Sequence, residues 1–359
     1  MAQKKVDKEL EKLGNNIIDE VNKKVNPSID IPIRALSNII YDKKSGQLEL
    51  GDKISKRYFF NVAHAKKFMQ TLMVASFTKR LIEENIHTSI RDMYYNLKRT
   101  LPDSDENTFD EQNESDPIIV DLEVALDVLR EQLNLTTDRK GIVAGNVRIQ
   151  DRGDIINWSK LGSGGWSIPS TVEEVSFKSV DASFVLVVEK NAGFERLHED
   201  RFWQKHNCIL IGTGGQPSRG TRLLIQRLNS EYKLPVYVMT DADSYGWYIY
   251  SVIKAGSMSL AHISDRIATP DAKFIGLSIS DIFEYDLKKC IIKAKEVDIK
   301  RAKELQQYDW FKKPRWQKEI NLMIEKGIKA EIEALSHRGL KFMSEEYLPQ
   351  KLKNKEFFD

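Results

Sequence analysis

Cysteine is almost absent from this chain. Cys208 and Cys290 stand alone in 359 residues, too few for a disulfide framework and without the C-x-x-C spacing of zinc or redox sites. A reducing cytosol is the expected setting. Long apolar runs are missing as well, none approaching the roughly 18 residues that span a bilayer, so no membrane segment is expected. The start, Met1-Ala2-Gln3-Lys4-Lys5, opens a charged amphipathic pattern in place of a signal core, which predicts an unexported chain. Neither sign of charge dominates: 55 Lys and Arg against 53 Asp and Glu leave +2, so any affinity for nucleic acid must come from local basic patches. None of the six histidines has metal-ligand spacing, no serine sits in G-x-S-x-G, and no repeat of solenoid period occurs. A hydrolytic triad is not supported, and no repeat array is expected.

What remains is a long, well-patterned chain with enough apolar residues for two or three domains. Val6, Leu10, Leu13, Ile17 and Val21 recur at three- and four-residue steps, forming one apolar stripe on an opening helix that can dock on the chain's own core, a sister protomer or a partner protein. Residues 40–50 read as a hairpin around Lys43-Lys44-Ser45-Gly46 that closes this first segment. A helical pattern over 63–85 is followed by a second helix, capped by Thr88 or Ser89 and running to about Leu101. This pair resembles a helix-turn-helix. Residues 102–117 are acidic and aperiodic and read as a solvated loop, with a third helix over 118–133. Residues 140–149 then read as a small hairpin, and helices followed by a hairpin wing predict a winged-helix, CAP-like domain. The glycine-rich stretch from 151 to about 180 is expected to be a connector. Beyond it strand and helix alternate, the signature of an α/β domain with a parallel sheet, ending in a Lys- and Glu-rich helical part. The expected layout is therefore α+β and multidomain: 1–65 as an extension, 66–150 winged helix, 151–180 connector, 181–359 α/β domain.

Two of the apolar strand runs end in carboxylates. Phe184 to Val188 leads into Glu189, and Val236 to Met239 leads into Asp241 and Asp243. Ligands of parallel sheets collect past the carboxyl ends of the strands, and acids gathered there repel one another unless a cation offsets them. Mg²⁺ suits such oxygens, being hard and content to keep several waters while it binds phosphate; the same aspartates could instead cap the next helix. On the second helix, Ile90, Met93, Tyr94 and Leu97 share one face, which leaves Tyr95 outside it with Arg91 one turn away. A phenol ionises near pH ~10, so attack at neutral pH needs a base or a neighbouring cation, and Arg91 can supply the charge or grip a phosphate. The loop from Gly212 to Arg222 comes after a strand and opens a helix but has no Walker lysine. Nucleotide hydrolysis is not expected there; the loop is either a tight turn or a cradle in which Arg219 or Arg222 holds a backbone phosphate, with Lys140 as a further basic contact to DNA.

The segments Thr88-Ser89-Ile90-Arg91-Asp92-Met93-Tyr94-Tyr95, residues 140–145, Val187-Val188-Glu189-Lys190-Asn191-Ala192 and Thr240-Asp241-Ala242-Asp243-Ser244-Tyr245-Gly246-Trp247-Tyr248 together resemble the A subunits of archaeal DNA topoisomerase VI. That family also includes the eukaryotic protein that makes meiotic double-strand breaks. Ala242 and Ser244 stand where the family often has glycine and proline. The resemblance implies a winged-helix domain bearing the attacking tyrosine, joined to a Toprim domain that holds Mg²⁺. It makes Tyr95 the nucleophile, Arg91 its helper, and Glu189, Asp241 and Asp243 the metal ligands. It further implies transesterification of duplex DNA through a 5′-phosphotyrosyl link, a homodimer that cuts both strands, and an A2B2 assembly in which the B subunit binds the ATP, working on the nucleoid. Two rivals stay open: a Toprim nuclease or break-maker that does not reseal, and a non-enzymatic winged-helix scaffold.

Overall fold

The computed structural model describes residues 2–359, and the chain folds into two compact units. The first runs through Ile39 and resumes over Leu50–Asp138; the second comprises Ile40–Glu49 and Arg139–Asp359. Among the described residues no helix is long and apolar enough to cross a membrane.

The first unit is built on helices whose apolar faces meet in one core. Helix α1 (Ala2–Asn22) buries Val6 and Leu10 against α2 (Val62–Glu83), α3 (Ile90–Leu97) and α4 (Gln112–Leu126), so the leading part of its stripe is satisfied within its own chain. Ile17 packs on a second cluster of Ile29, Ile31 and Phe68, while Val21 is exposed. Strands β1 (Ser28–Pro32) and β4 (Ile54–Tyr58) form an antiparallel pair. Their tie to α4 is ionic: buried Asp121 accepts from Arg34 Nε at 3.0 Å and Nη2 at 2.6 Å, and pairs through its other oxygen with Arg57. The hairpin of β2 (Ile39–Asp42) and β3 (Gln47–Leu50) forms as expected, but it does not close the first segment. It belongs to the second unit, where the Tyr41 ring lies 5.0 Å from that of Trp310.

Two expectations for the first unit fail locally. Helix α3 stops at Leu97, four residues short of the expected end, because Thr108 caps it: its hydroxyl donates to Leu97 O at 2.7 Å and accepts from Arg99 N at 3.0 Å. Consequently the acidic loop is not simply solvated, and Thr108 and Phe109 are buried. Helix α4 then begins at Gln112, six residues before the expected 118, and ends at Asp127, whose left-handed backbone caps it. The helix thus starts five residues before Pro117, which lies inside it and lacks the N–H for one helical hydrogen bond. Short parallel strands β5 (Thr88–Ser89) and β6 (Leu135–Thr136) tie the start of α3 to the end of the unit.

The hairpin expected at 140–149 does not form, and with it goes the wing placed there. Strand β7 (Ile142–Ala144) joins a six-stranded sheet, whereas β8 (Val147–Asp151) joins a three-stranded one with β9 (Asp154–Asn157) and β11 (Ser176–Val180). Burial explains the split. Val143 and Ala144 are wholly buried, as an inner strand requires, while β8 alternates buried Val147 and Ile149 with exposed Arg148. Gly145, at the turn, lies so close to the chain at 208–209 that an added Cβ would sit 3.2 Å from Ile209 Cα. The expected connector is likewise structured. It contains β9, β10 (Trp166–Ser167) and β11 around buried Trp158 and Trp166, which stack at 5.3 Å.

The large sheet has the order β10-β7-β13-β12-β14-β15, with β12 (Phe184–Val188), β13 (Cys208–Gly212), β14 (Val236–Met239) and β15 (Lys273–Gly276) parallel and β7 antiparallel to β13. Val188 is in register with both Gly212 and Met239, so the residues just past β12 and β14 emerge side by side at the carboxyl edge. Helices α5 (Asn191–Glu199), α6 (Phe202–Lys205), α7 (Arg219–Tyr232) and α8 (Ser244–Ala255) fill the crossovers. The C-terminal part belongs to this unit too: Trp316 sits among Tyr250, Phe274, Phe311 and Phe358 with ring centroids 4.8 to 5.3 Å apart.

Candidate metal centre and candidate nucleophile

Glu189 is the first residue past β12 and Asp241 the second past the adjacent parallel strand β14, and the structure brings them together. The Asp241 backbone N–H donates to Glu189 Oε2 at 3.1 Å. Asp241 Oδ1 accepts from Ile332 N at 2.8 Å, and its Oδ2 lies 3.1 Å from Lys190 Nζ. Burial, followed by the proximity of Asp241, pushes the Glu189 carboxyl up to about 7. Burial likewise raises Asp241 to about 6, against the opposing effect of the Ile332 N–H and Lys190. Two carboxyls that resist ionisation side by side are a pair whose charge is stabilised by an added cation.

Asp243 is placed differently. Its Oδ1 accepts from Gly246 N at 2.7 Å, capping α8, and its Oδ2 is 3.5 Å from Lys329 Nζ, which also pairs with buried Asp298 at 3.1 Å. Among the described residues no group of three His, Cys, Asp or Glu side chains is arranged to hold a metal ion. The helix-capping alternative therefore describes Asp243 as it lies here. Glu189 and Asp241 still fit Mg²⁺, which typically takes one or two protein carboxylates and completes its octahedron with water and phosphate oxygens. The approach of α8 depends on Gly246: a Cβ there would lie 2.5 Å from Asp241 O.

Four polar residues of this centre were not anticipated from sequence. Lys190 Nζ touches Glu331 at 3.0 Å and Glu333 at 2.9 Å as well as Asp241, and Lys329 faces Asp243. The segment carrying Glu331 and Glu333 is pinned by reciprocal backbone bonds between Ala242 and Ala330. Lys190 could have been flagged as the residue directly after a strand-end acid. The other three lie some ninety residues beyond Asp241, in a short strand and the turn into the helix after it, with no local signal.

The loop after β13 is stitched to the same place, with Thr213 N donating to Val188 O and Gly215 N to Glu189 O at 2.8 Å. Lys140 is exposed and spends one donor on Gln216 O at 2.8 Å, while its own carbonyl accepts from Thr221 Oγ1 at 2.6 Å. Arg219 opens α7. Arg222, one turn further on, is buried, and burial followed by Arg219 pushes its guanidinium down to about 9. The expectation that Arg222 grips DNA is corrected accordingly: α7 turns that side chain inward, away from any duplex.

In the first unit, α3 separates the two tyrosines as its periodicity requires. Ser89 Oγ caps the helix by accepting from Asp92 N at 3.0 Å, which fixes the register of both turns beyond it. Ile90, Met93, Tyr94 and Leu97 are buried, and the Tyr94 hydroxyl donates to Asp110 O at 3.0 Å and accepts from Lys98 Nζ at 3.1 Å. Tyr95 is 59% exposed. Its ring lies 5.1 Å from that of Tyr94, and the Arg91 guanidinium carbon stands 6.0 Å from the Tyr95 ring centroid, at the outer limit of a cation–π contact. An exposed phenol flanked by a guanidinium can present its oxygen to an electrophilic phosphorus.

Comparison with known proteins covers almost the whole chain. Residues 184–352 match the family model for the Toprim domain of the topoisomerase 6 A subunit and Spo11, residues 66–135 that of Type IIB DNA topoisomerase, and residues 140–181 that of an all-beta domain in the DNA topoisomerase VI alpha subunit. The chain is 47% identical to the A subunit of type 2 DNA topoisomerase 6 from Pyrococcus abyssi, over 97% of this chain and 94% of that one. It is 46% identical to the Saccharolobus shibatae protein of the same name, over 98% of each. The A subunit of Arabidopsis thaliana DNA topoisomerase 6 is 37% identical, over 92% of this chain and 76% of that one.

Proposed function

The chain belongs to the A-subunit family of type 2 DNA topoisomerase 6, and from that premise we propose how its own residues carry out the reaction. It is the DNA-cleaving subunit of a type IIB topoisomerase. Tyr95 is the nucleophile. Its oxygen attacks a backbone phosphorus, forming the phosphotyrosyl bond to the 5′ phosphate while the bond to the 3′ oxygen breaks; the phenol loses its proton and the departing oxygen gains one. One phosphodiester replaces another, so attack by the 3′ hydroxyl reseals the strand without an energy-rich cofactor. Arg91, on the same exposed face of α3, favours the phenolate or steadies the phosphate.

Glu189 and Asp241 would hold Mg²⁺, with Asp243 adding Oδ2 once it parts from Lys329. The ion supplies positive charge for the phosphate and the leaving oxygen. The helix pair α2 and α3 acts as the helix-turn-helix of a winged-helix-class domain that presents Tyr95 to duplex DNA, with Lys140 and Arg219 as backbone contacts from the second unit. Two strands need two tyrosines, so the working form is a homodimer of this chain. Strand passage draws on ATP bound by a B subunit in an A2B2 complex on the nucleoid, in keeping with the missing Walker lysine after Gly212.

The observation that carries this reading is the division of labour on α3: Tyr94 is buried and hydrogen-bonded, and Tyr95 is exposed beside Arg91. The test is relaxation of supercoiled DNA by the chain with B subunit, ATP and Mg²⁺, with covalent protein–DNA adduct scored in parallel. Tyr95→Phe should lose both. A Tyr95→Phe enzyme that still forms adduct would overturn the assignment.

A further inference from the structure

The place at which a divalent cation is needed is already held by a monovalent one. Lys190 Nζ makes three short contacts, 3.1 Å to Asp241 Oδ2, 3.0 Å to Glu331 Oε2 and 2.9 Å to Glu333 Oε2, which accounts for all three ammonium donors. Only the first contact is to a strand-end acid. The other two are to the segment that also caps Asp241 Oδ1 through Ile332 N. The ammonium therefore bridges a candidate metal ligand and a nearby acidic pair.

We infer that Lys190 is a resident counterion, which neutralises Asp241 before metal arrives and is handed to Glu331 and Glu333 when the metal takes that oxygen. This rests on the magnesium reading given above. To reach that oxygen the metal must break the Lys190–Asp241 ion pair, while the lysine keeps its other two, so it is displaced by a small movement and remains beside the reacting phosphate. Two consequences follow for the chain on its own. Binding of Mg²⁺ without DNA is weaker than two buried carboxylates would otherwise give, and the strength of that competition depends on how firmly Glu331 and Glu333 receive the lysine. Lys190 is in this sense a positioning residue.

The experiment is calorimetric titration of the full chain with Mg²⁺ alone, without DNA, alongside thermal melting. Lys190→Gln should bind Mg²⁺ about tenfold more tightly than wild type, the scale of one partly buried ion pair no longer broken on entry, and should melt lower in the absence of metal. Lys190→Arg, which keeps the charge, should stay within about twofold of wild type on the same scale. Glu333→Gln should weaken Mg²⁺ about threefold by leaving Lys190 more firmly on Asp241, and this effect should vanish in the Lys190→Gln background. A Lys190→Gln protein that binds Mg²⁺ no more tightly than wild type overturns the inference, as does a Glu333→Gln effect that persists undiminished in the double variant, which would mark a diffuse loss of charge. Glu189→Gln separates the two readings. If wild type shows no saturable binding that Glu189→Gln abolishes, the magnesium reading itself falls and the counterion falls with it.

Discussion

Tyr94→Phe removes a single oxygen one residue from the nucleophile, and its effect can be worked out in advance. The Tyr94 hydroxyl donates to Asp110 O and accepts from Lys98 Nζ. Losing a buried donor is most costly when its acceptor is left unpaired, about 1–3 kcal/mol. Here the Asp110 carbonyl keeps a second donor, Lys98 Nζ at 2.9 Å. The expected loss is therefore at the low end, about 1 kcal/mol, or roughly 3–5 °C in the melting of a unit of this size. The ring stays buried among Met93, Leu97 and their neighbours, so α3 keeps its register and Tyr95 its exposure. Tyr94→Phe should thus melt lower and still form the covalent adduct. Tyr95→Phe should do the reverse, losing the adduct with stability within about 0.5 kcal/mol of wild type, as for other exposed substitutions. The assay is denaturing electrophoresis of end-labelled DNA with B subunit, ATP and Mg²⁺, beside thermal melts of the same preparations. Loss of adduct in Tyr94→Phe with retention in Tyr95→Phe would mean that the helical faces have been assigned the wrong way round.

How far the sequence revealed the site depends on whether the chemistry was local. The strand ends that carry Glu189 and Asp241 are uninterrupted apolar runs, and the burial of Val185 to Val188 shows why the pattern was legible: a strand covered on both faces has no polar alternation to confuse it. The face of α3 was equally plain, because Ile90, Met93, Tyr94 and Leu97 recur at three- and four-residue steps whichever of Thr88 and Ser89 caps the helix. What failed depended on distant partners. Ile142–Ala144 and Val147–Asp151 look like two arms of a hairpin, but their partners are strands such as Cys208–Gly212 and Ser176–Val180, which no window around residue 145 contains. The end of α3 is set by Thr108, and the orientation of Asp243 by Gly246 and Lys329. The two aspartates are two residues apart, and spacing alone left metal binding and helix capping open. The structure gives Asp241 to the strand end and Asp243 to the helix.

Further outcomes rest on single contacts. Asp121→Ala leaves Arg34 and Arg57 without their shared buried carboxylate and should destabilise the first unit by about 3–5 kcal/mol, read as a lower urea midpoint and faster amide exchange in α4; a loss below about 1 kcal/mol would refute that role. Mg²⁺ at ten times its dissociation constant should stabilise the wild-type chain by about 1.4 kcal/mol and leave Glu189→Gln unmoved in the same melt. Asp359 is held down to about 2 by Lys313 at 2.7 Å and Lys254 at 3.1 Å. A depressed carboxylate stabilises the fold above its unfolded value near pH ~4 and loses that contribution as pH falls toward 2. Because this side chain is more than half exposed, the amount is on the order of 1 kcal/mol, and Asp359→Asn should remove that part of the acid dependence of the melt. Gly246→Ala tests the geometry of the acid centre most directly. Its new Cβ would fall 2.5 Å from Asp241 O and 2.9 Å from Thr240 Oγ1, both in the buried segment just past β14, so the peptide that aims Asp241 has to move. Gly14→Ala is the matched control: nothing lies within 4 Å of its Cβ, and in mid-helix alanine gains about 1 kcal/mol. Adduct formation should fall by at least about tenfold in Gly246→Ala, as expected when a ligand is displaced by a fraction of an ångström, and be unchanged in Gly14→Ala. Wild-type cleavage by Gly246→Ala would mean that the orientation of Asp241 does not matter to the reaction, and Asp241 would then have to be withdrawn from the metal centre.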